Sequence, residues 1–288
     1  MPELPEVETV VRDVRPHLVG RRISGVELGR KRPLKTAPHK IVEGLSGALI
    51  ESVERWGKNI VIRAENNGPV WWLIHLGMSG RLNVVAASEE RVKHTHGIFT
   101  IDPGDFELRF NDPRMFGRIE VWRGKMPPRL AELGPEPLEV SEAEFAATLR
   151  LRRTRLKALL LDQSFVRGVG NIYADEALFR AGIDPRVIGT RTSAARAAAL
   201  HAALQHVLQT AIESKGSSVR TYLYGSGEAG RYQYEHKVYG RSGSQCTVCA
   251  TIIRSAVVAG RTTAWCPVCQ TKGERKGKRQ EAKGKRQK

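Results

Sequence analysis

Apolar residues recur at helical spacing at Val7, Val10, Val11, Val14 and Leu18, and Gly20 closes the pattern. The chain is therefore expected to open on an amphipathic helix. The period then shortens to that of strands. ALIESVERW, NIVIRAE, PVWWLIHL, HGIFTID, FELRF and GRIEVW alternate or run apolar over short stretches, with turn signals such as NNGP and DPGD between them. Strands that follow one another without intervening helices predict a β-sandwich or barrel packed on the first helix. After the proline-rich MPPRLAELGPEPLEV, helical periodicity returns in SEAEFAATLRLRRTRLKALLLD, NIYADEALFRAG and TSAARAAALHAALQHVLQTAIES. In the last of these, Leu200, Leu204, Val207, Leu208, Ala211 and Ile212 share one face. The fold expected is α+β and multidomain. A helix and β-sandwich span 1–125, a linker 126–140, a helical domain 141–234, a cysteine module 235–270 and a basic tail 271–288.

Charge narrows the class of partner. The 288 residues carry a net +17, which points to a polyanion, with nucleic acid ahead of an acidic membrane surface. From Thr271 to Lys288 there are nine Lys or Arg against two Glu and no large apolar residue. That composition reads as a disordered arm, either merely solvated or tethering DNA. The rest of the chain stays basic without it. No stretch reaches the roughly 18–20 apolar residues of a membrane span, and the N-terminus lacks a secretory pattern. A cytoplasmic protein without structural disulfides is expected.

The four cysteines fall as Cys246-x2-Cys249 and Cys266-x2-Cys269, with sixteen residues between the pairs. Each knuckle can place two thiolates on one tetrahedral ion, and a hairpin between them lets the pairs converge. This favours one structural Zn²⁺ in a closed four-sulfur site over a redox pair or an iron–sulfur centre. The intervening ATIIRSAVVAGRTTAW would present Arg254 and Arg261 on a ribbon.

The opening MPELPEVE admits two readings. Prolines and glutamates suit a helix start, where acids complement the helix dipole. Alternatively, Met removal ahead of Pro2 would expose a secondary amine. A terminal amine has a pKa near about 8 against about 10.4 for lysine, so far more of it is neutral and nucleophilic at pH 7. Attack on a sugar aldehyde carbon would give an iminium cation, an electron sink, with Glu3 beside it to move protons.

MPELPEVE, HLGMSGRL at 75–82, NDPRMFGR at 111–118, GVGNIYADEALF at 168–179, VYGRSG at 238–243 and the cysteine ribbon occur in that order. Together they resemble the formamidopyrimidine-DNA glycosylases over essentially the whole chain to about residue 270. The endonuclease VIII branch, which usually starts PEGPE and lacks HLGMSG, matches less well. The resemblance implies a helix-plus-sandwich domain, a helix–two-turn–helix domain and a zinc ribbon. It also implies a monomer that binds double-stranded DNA containing oxidised bases or abasic sites. Oxidised purines such as 8-oxoguanine would be excised and the strand nicked on both sides by β,δ-elimination. Pro2 would be the Schiff-base nucleophile at C1′, Glu3 the proton donor that opens the sugar, Lys58 the proton carrier in β-elimination, and Arg261 the phosphate binder of δ-elimination. Met78, Arg114 and Phe116 would fill the hole left by an extruded base, although Met78 and Phe116 taken singly read as core. Met115 stands where many relatives carry Arg or Lys. Phosphates would be met by His94, Arg114, Arg152 and Asn171. His94 is chosen over His96 by alignment alone, and Asn171 also fits a helix N-cap. GVGN would offer backbone N–H groups to a phosphate. The Gly- and Tyr-rich residues 217–240 would contain a lid, with Glu6 toward the base pocket. The alternatives kept open are an endonuclease VIII-type glycosylase for oxidised pyrimidines and a DNA-binding relative that has lost catalysis.

Overall fold

The first helix α1 (Leu4–Leu18) belongs to two cores at once. Val7, Val10, Val11, Val14 and Leu18 are buried in the sandwich core, whereas Leu4 is buried among the helices of the second domain. Pro5 sits in the first turn, where its missing N–H costs nothing. The structure is a computed structural model and describes residues 1–30, 32–217 and 230–273. Residues 218–229 of the stretch expected to contain the lid, and the basic tail from 274, lie outside the described residues. Among the described residues no helix is long and apolar enough to cross a membrane.

Eight strands and a short helix complete the first domain: β1 (Ile23–Leu28), α2 (Pro38–Leu45), β2 (Leu49–Trp56), β3 (Asn59–Glu65), β4 (Pro69–His75), β5 (Arg81–Ala86), β6 (Thr95–Ile101), β7 (Phe106–Asn111) and β8 (Arg118–Arg123). They form two four-stranded antiparallel sheets, ordered β1-β6-β7-β5 and β2-β3-β4-β8. Inward residues of both sheets interdigitate, with the Trp72 and Phe99 rings 4.3 Å apart between centroids. The outer face of the second sheet is also covered. Val61 and Leu73 pack there against Leu130 of α3 (Pro128–Ala131). The 126–140 segment is thus docked on the sandwich, and its Glu136 pairs with Arg55 and Arg167.

The second domain contains α4 (Glu142–Arg150), α5 (Leu156–Leu161), α6 (Asn171–Arg180) and α7 (Ala194–Glu213). SEAEFAATLRLRRTRLKALLLD is not one helix but two, broken at 151–155. The backbone at the break bonds to a neighbouring segment instead: Thr190 N–H donates to Arg152 O and Gly189 N–H to Thr154 O. Leu156 and Lys157 N–H likewise donate to Val187 and Pro185 O. Tertiary hydrogen bonds here outweigh helical propensity.

The ribbon hairpin β9 (Arg254–Val258) and β10 (Arg261–Trp265) is fixed to α6 by two buried acids. Asp175 accepts from Lys157 Nζ at 2.6 Å and from Ala264 N at 3.0 Å. Glu176 accepts three consecutive backbone N–H groups, from Lys237, Val238 and Tyr239. The adjacent pair in NIYADEALF therefore joins the helical domain to the ribbon, because buried donors and acceptors must be paired.

Candidate active site

Four elements converge on the N-terminus. Leu4 N–H donates to Gly168 O, holding the start of α1 against the loop before α6. A carboxylate at a helix N-terminus satisfies orphan donors and meets the positive end of the dipole. Glu3 does so from another element, accepting from Ile172 N at 3.1 Å and Tyr173 N at 3.4 Å. The two donors belong to the residues that directly follow GVGN, so the carboxylate sits at the first turn of α6. The N-cap of α6 is Gly170, not Asn171. A Cβ at Gly170 would collide with the Glu3 carboxyl.

The third element is the β2–β3 hairpin. Trp56 pairs with Asn59 across a two-residue turn, Gly57–Lys58, in which Gly57 takes φ +61°. A Cβ on Gly57 would press on Arg167 and Gly168, so the tip lies directly on the loop before α6. Lys58 thus stands in the turn itself, just ahead of β3. The fourth is the ribbon, whose Ala259–Gly260 turn has both residues at positive φ and carries Arg261 at the start of β10. Asn171 Nδ2 donates to Thr262 O at 3.0 Å, tying the start of α6 to this hairpin.

These parts enclose a cavity of about 590 Å³ whose lining includes Pro2, Glu3, Lys58, Met78, Asn171 and Arg261. Met1 is half exposed at its edge and Pro2 is buried beneath it. Burial pushes the Lys58 ammonium below the usual lysine range and Arg261 and Lys157 add to this, while Glu3 and Glu6 oppose it. Glu6, which also lines the cavity, is pushed up to about 7 by burial first and by the Glu3 charge second. Three donors act against that rise: Ser217 N–H at 2.7 Å, the Tyr173 hydroxyl, and Glu3 N–H at 2.8 Å.

Beside the cavity lie two loops with exposed apolar tips. Met78 and Phe116 are 46% and 45% exposed, which removes the core reading of both, and the Arg114 guanidinium lies 4.9 Å from the Phe116 ring centroid. The fully buried Asp112 organises both loops, accepting from Ser79 Oγ, Arg114 N and Gly117 N. Gly77, at φ +64°, packs backbone to backbone against Phe116 and Gly117, where no side chain fits. In the cysteine module, Sγ separations include 3.4, 3.5 and 3.8 Å, and all four sulfurs lie within 4.8 Å of one another. Zinc–sulfur bonds of about 2.3 Å in a tetrahedron require separations of about 3.8 Å.

Family models match the chain along its length: the formamidopyrimidine-DNA glycosylase N-terminal domain over residues 1–119, the formamidopyrimidine-DNA glycosylase H2TH domain over 133–223, and a zinc finger found in FPG and IleRS over 243–272. The formamidopyrimidine-DNA glycosylase of Solibacter usitatus is 48% identical over 271 residues, covering 94% of this chain and 99% of that protein. The chain belongs to the formamidopyrimidine-DNA glycosylase family. A Lactococcus lactis Fpg bound to DNA containing an abasic site superposes with a TM-score of 0.84 at 34% identity, over 93% of this chain and 99% of that one. The Fpg protein of Thermus thermophilus gives 0.82 at 37%, over 95% and 100%. As in that family, the four cysteines form a closed site for one structural zinc ion.

In this glycosylase, the structure brings Pro2, Glu3, Lys58, Asn171, Met78 and Arg261 to one cavity and sets Arg114 and Phe116 on an adjacent loop. His96 is buried, with Nε2 on Asp112 O, whereas His94 is partly exposed at φ +70°. Arg152 is exposed in the α4–α5 break, outside the cavity lining. Sequence patterns assign no role to Asp112, Tyr173, Asp175 or Glu176. Only the aspartate after Asn111 in NDPRMFGR carries a local turn signal; the others act through partners distant in the chain.

Two outcomes follow for the glycosylase. Gly170→Ala drives a methyl group into the Glu3 carboxyl; with Glu3 as the expected proton donor, a displacement of about 1 Å should slow excision by about 10²-fold, which single-turnover excision measures. Glu6 has a raised folded-state pKa, so its contribution to stability is fully present below the ordinary carboxyl value of 4.5 and is lost as pH rises to about 7. Glu6→Gln removes this slope. Relative to wild type it should gain on the order of 3 kcal/mol between pH 4 and pH 8, read from urea midpoints at the two pH values.

Proposed function

We propose that this chain removes oxidised purines from double-stranded DNA and nicks the resulting abasic site. The observation that carries this reading is the buried N-terminus, with Pro2 lining one cavity together with Glu3, Lys58 and Arg261. Once Met1 is removed, the Pro2 nitrogen bonds to C1′ as the C1′–base bond breaks and the base departs with a proton. Glu3 protonates the ring oxygen, which opens the sugar and leaves an iminium. Lys58, whose ammonium burial already disfavours, then moves the C2′ proton as the 3′ phosphate leaves. Arg261, exposed on the ribbon, meets a phosphate during the second elimination. Met78, Arg114 and Phe116 fill the vacated stack, while His94, Arg152 and Asn171 contact phosphates. Solved structures of the Lactococcus lactis relative hold DNA containing Fapy-dG or an abasic site, which fits this substrate class. The enzyme acts in the cytoplasm as a monomer.

Oligonucleotide duplexes carrying 8-oxoguanine opposite cytosine, or thymine glycol opposite adenine, test the reading, with borohydride added to trap the iminium. Faster excision of 8-oxoguanine and a covalent protein–DNA adduct are expected from Met-processed protein. Preference for thymine glycol would instead place the chain with the pyrimidine-directed enzymes, and absence of any adduct would leave a non-catalytic DNA binder.

A further inference from the structure

Behind the cavity, four polar side chains form a line from Glu6 toward the ribbon. The Tyr173 hydroxyl bonds to Glu6 Oε1. Ser217 Oγ lies 3.4 Å from Tyr173 Oη and 3.1 Å from His236 Nε2. Their hydrogen-bond directions follow from the carboxylate end. Above its pKa of about 7 Glu6 is a carboxylate and only accepts, so there the tyrosine proton is committed to Glu6 and Tyr173 Oη is left to accept. Ser217 O–H fills that role, and Ser217 Oγ then accepts from His236 Nε2–H. Each link polarises the next. Burial holds His236 neutral, with its pKa pushed down to about 4, and the Tyr232 and Tyr239 rings flank it at 5.6 and 5.4 Å. A neutral imidazole has one N–H to give, and here it is aimed at Ser217.

Two of the four, Glu6 and Ser217, line the cavity, whereas His236 does not. Ser217 N–H also donates to Glu6, so the two cavity-facing groups are joined directly as well as through Tyr173. We propose that His236 is a positioning residue for base recognition: as outer donor of the line His236–Ser217–Tyr173–Glu6, it fixes the serine hydroxyl and the Glu6 carboxyl that meet an extruded base. This rests on the reading of the cavity as the pocket for a flipped base. It separates two activities of one enzyme, because an abasic site presents no base for Ser217 and Glu6 to hold, while Pro2 and Glu3 still act on its sugar.

The test compares His236→Leu and His236→Gln with wild type on an 8-oxoguanine duplex and on a duplex with a preformed abasic site. Leucine keeps most of the volume without a donor, whereas glutamine places an amide N–H near the position of Nε2–H. His236→Leu is expected to lower kcat/KM for 8-oxoguanine excision by roughly five- to tenfold, the size of one net hydrogen bond, with abasic-site nicking within about twofold of wild type. His236→Gln should recover most of the loss. On the 8-oxoguanine duplex, adding His236→Leu to Ser217→Ala should lower kcat/KM little beyond Ser217→Ala alone. Equal losses on both substrates, no loss on either, or failure of glutamine to rescue would overturn the proposal. Wild-type protein that leaves 8-oxoguanine intact would instead refute the functional reading beneath it.

Discussion

Glu3→Gln is expected to slow base excision by about 10²–10⁴-fold while the fold persists. The two roles of this side chain are separable by chemistry. As a structural group it accepts N–H bonds from Ile172 and Tyr173 at the start of α6. An amide oxygen can take over that acceptance, at the loss of the charge that suits a helix N-terminus. In the proton-donor role proposed for it, it has no amide substitute. The variant should therefore unfold at a urea midpoint close to that of wild type and bind damaged duplex, yet fail in single-turnover excision. Borohydride trapping on a preformed abasic site adds a second readout. The sugar of such a site already opens in water, so Pro2 can still form an iminium there, and an adduct should persist while excision is lost. Excision within about threefold of wild type would remove Glu3 from the proton-transfer role, since that loss is far below what a general acid contributes.

Local signals carried the elements that bury one whole face, and failed where burial is partial. The strands in the middle of each sheet, such as NIVIRAE and PVWWLIHL, announce themselves through nearly unbroken apolar runs. The two that the pattern misses, β1 and β5, are the edges of one sheet. In β1, Gly25 and Glu27 interrupt the alternation and a bulge follows Ile23; in β5 only Leu82 is fully buried. Edge strands pack on one side and tolerate weak patterns. The broken helix at 151–155 fails for the opposite reason. Its composition suits a helix, but Gly189 and Thr190 take up its backbone carbonyls, and no local pattern encodes a partner more than thirty residues away.

The site was legible as chemistry and not as geometry. Pro2, Glu3, Lys58 and Arg261 could be named because motifs mark them, but nothing in MPELPE says that Glu3 would sit on the N-terminus of a helix about 170 residues later. The glycines of GVGN record that contact: Gly168 lies against Leu4 and Gly170 against the Glu3 carboxyl. GVGN is a close-packed seat for the chain terminus. This is also why the terminus does not fray. Leu4 is buried in the helical domain while the rest of α1 is buried in the sandwich, so releasing Pro2 would expose both.

Removal of zinc is expected to abolish incision and to weaken binding of damaged duplex by at least about 10²-fold, through loss of the ribbon and of Arg261, which we propose meets a phosphate. The ribbon core is small: Val238, Ile253, Ala264 and three of the cysteines, with Phe179 of α6 packed against it. So little apolar surface cannot order this segment alone, whereas structural zinc in short modules supplies on the order of 10–16 kcal/mol. With the four sulfurs released, β9 and β10 lose their clasp and Arg261 leaves the cavity. The effect does not stop at the ribbon. Asp175 would lose Ala264 N–H but keep Lys157, and Glu176 would lose three backbone donors together. A buried carboxylate stripped of its donors costs about 1–3 kcal/mol or more, so α6, which seats Glu3, loosens as well. Chelation and Cys266→Ser should therefore lower both duplex affinity and the thermal midpoint of the helical domain, and added Zn²⁺ should restore the chelated protein but not the variant. Metal-free protein that still binds and nicks damaged duplex at the wild-type rate would show that the hairpin is held by α6 alone.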